Sequence, residues 1–125
     1  MVKNIDYELI RGDTKRLNKF RPTDLNGEVL ILSNSDNIYF TMKDANGTAK
    51  VKKYINNGIT LGEDGYYHIT LEADDTEDLD IGTYNYDIEL VLNITPKEFV
   101  ATLITGEITL TQDITTKGDR TWTKN

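Results

Sequence analysis

The chain has 125 residues, and its 14 lysines and arginines against 21 aspartates and glutamates give a formal net charge of −7 at pH 7. The composition is that of one soluble globular domain, and the absence of cysteine excludes disulfides, thiolate metal sites and a cysteine nucleophile. An acidic balance argues against binding to nucleic acid or to an anionic membrane, because both need a basic surface.

The first part of the chain predicts strands, because apolar and polar residues alternate with a period of two. The first strand lies at 5–9, and Gly12-Asp13 interrupts the pattern after it. A short basic edge strand then ends at Pro22, since proline cannot donate to a strand ladder. An apolar run at 28–32 has the length of the next strand.

A β-hairpin is predicted in the middle of the chain. The strand at 38–43 is followed by Asp-Ala-Asn-Gly at 44–47, where Asn-Gly adopts the positive φ angles that a tight turn needs. The returning strand places Ala49 and Val51 on one face and the lysines beside them on the other.

Three further strands follow with turn signals between them. Residues 67–71 alternate cleanly, and the acidic segment 72–80 separates this strand from a long one at 84–92. The last strand runs from about 99 to 110, and we expect a bend or bulge near Gly106.

Eight or nine short strands at this spacing predict an all-β fold, an antiparallel β-sandwich of about seven to nine strands, with an open barrel as the alternative. We expect the sandwich to span residues 1–113 and residues 114–125 to form a C-terminal arm or linker. The predicted inward-facing residues are Leu9, Val29, Ile31, Phe40, Tyr67, Ile69, Leu71, Tyr84, Tyr86, Ile88, Leu90 and Leu103.

The residues that most often carry catalysis are sparse. The only histidine, His68, falls on the outward face of its predicted strand, and the only serines, Ser33 and Ser35, share one turn. General acid–base catalysis by histidine needs an orienting partner, and a serine nucleophile needs a base. We therefore expect no catalytic residue, no cofactor and no enzymatic activity.

The acidic segment contains the one candidate metal site. Its alternate residues can direct oxygen atoms toward a hard cation such as Ca²⁺. These residues are Asp74, Thr76, Asp78 and Asp80. The segment lacks the mid-loop glycine and distal glutamate of an EF-hand, so a solvated turn, with Asp75 capping one helical turn, is the favoured alternative.

Two kinds of short motif have a structural interpretation. Arg11-Gly12-Asp13 matches the integrin-binding tripeptide, but it directly follows a strand, where Gly12 suits a turn or bulge.

Two groups of basic residues are interpreted as solvated strand edges that resist aggregation. They are Lys15, Arg16, Lys19 and Arg21, and Lys50, Lys52 and Lys53. We expect neither nucleic acid nor a membrane as partner.

Charge is unevenly distributed along the chain. Residues 1–53 hold ten basic and seven acidic side chains, a net +3, and residues 54–125 hold four basic and fourteen acidic side chains, a net −10. If folding keeps this split, like copies can associate with opposite charges together, which predicts a homo-oligomer.

Several segments, read in order, resemble the immunoglobulin-like modules of phage tail and baseplate proteins, notably the N-terminal domain of the baseplate upper protein family. The resemblance spans roughly residues 5–116. It rests on RGDT at 11–14, GYYHITL at 65–71, GTYNYDIEL at 82–90, GEITL at 106–110 and DIT at 113–115.

The resemblance implies an immunoglobulin-like sandwich without enzymatic activity that helps to attach a larger assembly or receptor-binding partner to the virion. We accordingly expect a phage or prophage virion structural or assembly module of the tail baseplate or a fibre attachment point. Its partners would be other virion proteins, and it would be located in the virion after synthesis in the bacterial host cytoplasm. In the arm, Ile114 and Trp122 are the expected interface contacts, because an aromatic residue in a polar tail favours burial against a partner.

A second hypothesis is a carbohydrate- or ligand-binding β-sandwich of the surface-adhesin type. In that case the exposed aromatic rings of Tyr39, Tyr66 and Trp122 would stack on sugar rings.

Overall fold

The computed structural model describes residues 2–24, 26–94, 97–115 and 118–119. Within these residues the chain forms nine strands and one short helix, so the all-β prediction is confirmed. The elements are β1 (Lys3–Asn4), β2 (Tyr7–Ile10), β3 (Lys15–Arg16), β4 (Asn37–Lys43), β5 (Ala49–Ile55), β6 (Gly58–Leu61), β7 (Tyr67–Leu71), α1 (Ala73–Thr76), β8 (Gly82–Leu92) and β9 (Phe99–Thr111). No helix in the described ranges is long and apolar enough to span a membrane.

The strands form a mixed, curled sheet in the order β1-β9-β8-β4-β5-β6-β7-β3, and β2 also pairs with β9. Most neighbours are antiparallel, but β1 and β2 run parallel to β9, and β6 runs parallel to β5. The sheet therefore differs from the purely antiparallel pairing expected from the sequence, because the first strands join the edge beside the last strand and run in the same direction.

The parallel pair β5–β6 arises from a very short loop. Asn56 and Gly58 have φ angles of 72° and 91°, in the left-handed region that lets the chain turn back on itself within few residues. The chain thereby returns to its original direction, and Tyr54 and Ile55 pair with Gly58 and Ile59.

The two edges of the sheet are joined by the first segment of the chain. β2 pairs with β9 at one edge, β3 pairs with β7 at the other, and only residues 11–14 lie between these two strands. The Tyr7 hydroxyl accepts a hydrogen bond of 3.0 Å from the backbone N–H of Asn18, which ties the two segments together. The core lies inside the curl that results.

Most of the predicted core residues are buried, as alternation requires. The prediction that Val29 and Ile31 face the core was wrong, because Val29 is exposed and Ile31 is 94% exposed. The segment 28–32 belongs to no strand of the sheet, and its strand-like pairing is limited to an isolated bridge between Val29 and Thr23. The residues of this run that pack against the core are instead Leu30 and Leu32, so the predicted inward and outward positions were exchanged.

Leu103 is only partly buried, because β9 contains a bulge at this position. Ile88 pairs with Ile104, whereas the next residue, Glu89, pairs with Thr102, so Leu103 is the extra residue. The alternation of β9 shifts at this point, and Ile104 takes the buried position. The irregularity expected near Gly106 thus lies three residues earlier.

Gly106 serves a different purpose, a close approach of two backbones. The first segment is interrupted between β1 and β2, and there the Ile5 carbonyl lies against Gly106, where an added Cβ would collide with it. The Tyr86 hydroxyl donates a hydrogen bond to this carbonyl, and the Asp6 carboxylate accepts one of 2.9 Å from the Glu107 N–H. These two bonds hold the first segment to β8 and β9 at the point between β1 and β2 where its strand pairing is interrupted.

Candidate functional site

The acidic segment forms a corner between β7 and β8 built on α1. The Glu72 N–H donates a 2.7 Å hydrogen bond to the Asp75 carboxylate, and Glu72, rather than the predicted Asp75, is the N-cap residue of the helical turn. At the far side of the corner, the Tyr84 hydroxyl donates a 2.7 Å bond to the Asp80 carbonyl. The corner is therefore held by its own side chains.

The four calcium candidates are not presented as an alternating row, because the segment is a helical turn rather than a strand. Thr76 is fully buried, and its hydroxyl accepts a 2.8 Å hydrogen bond from the Gly12 N–H. Asp74, Asp78 and Asp80 are exposed. In the described part of the chain no three His, Cys, Asp or Glu residues are arranged to hold a metal ion.

Arg11-Gly12-Asp13 forms part of the same corner. The Arg11 guanidinium lies 2.9 Å from the Asp113 carboxylate and donates a 3.1 Å bond to the Leu79 carbonyl. Gly12 has a φ of 85°, which glycine adopts without strain. The tripeptide thus joins the first segment, the corner and the end of the last strand, in agreement with its structural interpretation.

Lys53 is an exception to the prediction of solvated lysines. It follows Val51 on the inward face of β5, is only 9% exposed, and its Nζ lies 2.7 Å from the Asp75 carboxylate. The prediction was wrong for this residue, because the alternation of β5 turns Lys53 inward.

His68 is part of a polar cluster in the β6–β7 hairpin. Asp64 is its centre: it accepts a bond from the Tyr66 N–H and lies 3.2 Å from both His68 Nε2 and Lys19 Nζ. The Tyr66 N–H first, and then His68 and Lys19, hold the pKa of Asp64 well below its usual value.

Lys19 and Arg21 both lie over the Tyr66 ring, 4.5 and 4.4 Å from its centre. The ring is thus already engaged by cations.

The two arm candidates lie in different situations. Ile114 is 95% exposed, so its side chain is accessible to a partner. Trp122 lies outside the described residues.

A polar face covers the outside of β5, β4, β8 and β9, and we call it the outer face. It contains a shallow cleft of about 350 Å³. The cleft is lined by Tyr39, Thr41, Lys43, Asn85, Tyr86, Asp87, Glu89 and Thr105. Across the face, Thr41 lies opposite Asp87 on one side and opposite Lys52 on the other. Tyr39 and Tyr54 are paired across β4 and β5, and both are exposed.

A second surface is the apolar end, formed where β8 and β9 approach their connection. Leu92 pairs with Phe99 and Val91 with Val100. Ile94 lies two residues after Leu92. Phe99 and Val100 are 48% and 50% exposed, and Ile94 is exposed as well. Phe99 and Val100 point to opposite faces of β9, so this end of the two strands exposes apolar side chains on both sides. Exposed apolar surface of this kind is typical of interaction sites.

The sequence contains a signal for the apolar end that strand alternation obscures. At Leu90-Val91-Leu92 and Phe99-Val100-Ala101 apolar residues occupy consecutive positions, so both faces of each strand are apolar. Only one of these faces meets the core, and the other must be exposed or covered by a partner.

The sequence matches no protein-family model, and no curated protein matches it.

Proposed function

We propose that the chain is a non-enzymatic structural or assembly module of a phage or prophage virion, in the tail baseplate or at a fibre attachment point, acting through protein–protein contacts. The observation that carries this proposal is the apolar end. The resemblance to baseplate modules supplies the context, and other virion proteins are the proposed partners.

The energetics of the apolar end favour a protein partner. Phe99 and Val100 keep about half of their surface in water. Burying the rest would contribute about 1 kcal/mol for each side chain, and Ile94 adds a similar amount. Such a patch weakens solubility in an isolated protein and is retained most readily where a partner covers it.

Two features support an immunoglobulin-like sandwich as the finer description of the fold. The first strand segment pairs on one side with the last strand and on the other with β7, so it belongs to two layers. Tyr84, near the start of β8, donates its hydroxyl to the backbone of Asp80, the bond that characterises a tyrosine corner.

The test is incorporation into particles. Phage particles purified from cells that carry the intact gene should contain the protein by immunoblot, and the double variant Phe99→Ser/Val100→Ser should reduce its amount per particle at least 10-fold. Leu61→Ser is the matched control, because Leu61 is an apolar residue of similar exposure on β6, away from the apolar end. Absence of the wild-type protein from particles, or equal incorporation of the double variant, would contradict the proposal.

The outer face favours a second candidate function, binding of a carbohydrate. Tyr39 presents an exposed ring in the cleft, and Asp87 and Glu89 beside it can accept hydrogen bonds from sugar hydroxyls. The cations on its ring make Tyr66 a poorer platform. A glycan array tests this function: a specific signal that Tyr39→Ala removes and Leu61→Ser keeps would support it, and no signal would contradict it.

A further inference from the structure

We infer that the outer face binds a second copy of this chain, face to face, about a two-fold axis that runs along the strands between β4 and β8. The inference rests on the proposed function in one respect, since both assume that the chain acts through protein contacts. It concerns the charged part of the outer face, which adjoins Val91 and Val100 of the apolar end, and it is tested with other variants.

The argument begins with how charge is divided over the outer face. The acidic side chains stand on β8 and β9, with Asp87 and Glu89 on the first and Glu107 on the second. The lysines stand on the other two strands, Lys43 on β4 and Lys52 on β5. One half of the face is therefore acidic and the other half basic.

These charges do not neutralise one another within one molecule. Asp87 and Lys52 both face Thr41, so they stand two strands apart, about 10 Å at the usual strand spacing. Among the described residues, neither Lys43 nor Lys52 forms an ion pair, and neither do Asp87 and Glu89. Opposite charges that lie side by side and unpaired are available to a partner with the same division.

The division of charge selects one symmetry. A two-fold axis in the interface and parallel to the strands exchanges left and right, so β4 and β5 of one copy lie over β8 and β9 of the other. Asp87 of each copy then lies over Thr41 of the other. Thr41 has Lys52 beside it on β5 and Lys43 two residues along β4, so Asp87 comes within reach of both lysines on each side of the axis. An axis across the strands would instead place β8 over β8 and oppose like charges, which disfavours association.

The neutral residues of the face suit the same arrangement. Tyr39 lies across from Glu89 in its own sheet, so the exchange of strands brings the Tyr39 ring of each copy over Glu89 of the other. Tyr54 likewise comes over Thr102, the β9 neighbour of Glu89. Tyrosine is enriched in protein interfaces, because its ring adds apolar contact and its hydroxyl remains able to form hydrogen bonds. The cleft provides room for these side chains.

The size of the face predicts weak association. Four strands about 4.8 Å apart and about seven residues long cover roughly 450 Å² per copy. Stable specific interfaces bury about 800 Å² per partner. We therefore expect a dimer with a dissociation constant in the micromolar range or weaker, which dissociates at high salt because its exposed charges are screened.

The decisive experiment uses two charge-reversed variants of the full chain in sedimentation velocity at low salt. Lys43→Glu/Lys52→Glu makes the face predominantly acidic, and Asp87→Lys/Glu89→Lys makes it predominantly basic. We expect the wild type to dimerise as its concentration rises, each variant to dimerise at least 10-fold more weakly, and their equimolar mixture to form a heterodimer. Lys15→Glu/Arg16→Glu on β3 is the control, because it changes the net charge as the first variant does and leaves the outer face intact.

Thermal melts of all variants confirm that each is folded before association is compared. A wild type that stays monomeric at millimolar concentration, variants that dimerise like the wild type, or a mixture without heterodimer would each overturn the inference. Particle incorporation that depends on Phe99 and Val100 would be unaffected by that result. Conversely, dimerisation of a protein that never enters particles would contradict only the virion role.

Discussion

Lys53 and Asp75 form an ion pair, with 2.7 Å between Nζ and Oδ2, that joins the inward face of β5 to the helical turn before β8. Both side chains are largely shielded, and the lysine stem packs against Gly58. The pair links the short loop after β5 to the corner that also anchors the first strand segment. It is a polar contact that strand alternation placed on the core side of the sheet.

Removing one partner of this pair should destabilise the protein more than removing both. Asp75→Asn leaves a shielded ammonium group without its carboxylate, and we expect a loss of about 3 kcal/mol in the free energy of unfolding. The double variant Lys53→Met/Asp75→Asn should lose less than the single variant, since methionine buries without an uncompensated charge. Urea unfolding of the complete double-mutant cycle measures the coupling, and purely additive losses would contradict the prediction.

Gly106→Ala should destabilise the fold although the residue lies within a strand. The new methyl group would collide with the Ile5 carbonyl, and separating the two backbones would weaken the pairing of the first segment with β9. We expect a loss of about 1–3 kcal/mol, seen as a lower melting temperature. Glu107→Ala is the neighbouring control, because the bond from its backbone N–H to Asp6 does not need the side chain. Equal melting temperatures for the two variants would refute the proposed close approach.

Tyr86→Phe should expose the role of the hydroxyl that donates to Ile5. Loss of the hydroxyl leaves the partly buried Ile5 carbonyl without this donor, and we expect a cost of about 1–2 kcal/mol. Burial first, and then the neighbouring Tyr7 and Asp6, raise the pKa of Tyr86 far above its ordinary value. The wild type should therefore keep this contribution below pH 10 and lose it as pH rises further, because only the unfolded state ionises readily. Melting temperatures between pH 8 and 11 should fall more steeply for the wild type than for the variant.

Asp64→Asn tests the cluster around His68 by its acid dependence. The pKa of Asp64 lies below its ordinary value because the Tyr66 N–H, His68 and Lys19 stabilise the carboxylate. The folded state therefore gains stability from Asp64 above about pH 4 and loses it as pH falls below that value. The variant should melt at a lower temperature than the wild type at pH 7, and the two should converge toward pH 2. Asp78→Asn, at an exposed position, should remain parallel to the wild type throughout.

Calcium should not stabilise the protein. The Thr76 hydroxyl is buried and already accepts a bond from Gly12, so it offers no ligand at the acidic segment. We expect the same melting temperature in millimolar calcium and in chelator. A higher melting temperature in calcium, abolished by Asp78→Asn, would restore the metal hypothesis.

The features that could be predicted from the sequence are those that depend only on neighbouring residues in the chain. The turn at 44–47 forms where it was expected, and the Asp44 carboxylate accepts bonds from the Asn46 and Thr48 N–H groups. Only Gly47 has a positive φ, 80°, whereas positive angles were expected of both Asn46 and Gly47. The inward-facing residues of β7 were also predicted correctly, since Ile69 and Leu71 face the core. Both features depend only on backbone preference and on alternation over a few residues.

The exposure of Ile31 and the bulge at Leu103 could not be predicted, because each depends on which strand lies alongside. The inward position of Lys53 follows from alternation after Val51, but its partner Asp75 comes from the tertiary structure. The same is true of the candidate surfaces. Acidic and basic residues far apart in the chain become two halves of one face only when β8 and β9 are placed beside β4 and β5. The net charge of −7 and the alternation are properties of the chain alone, since they need no neighbours. The position of charges and exposed apolar residues on a common surface comes from strand order, which long-range pairing sets.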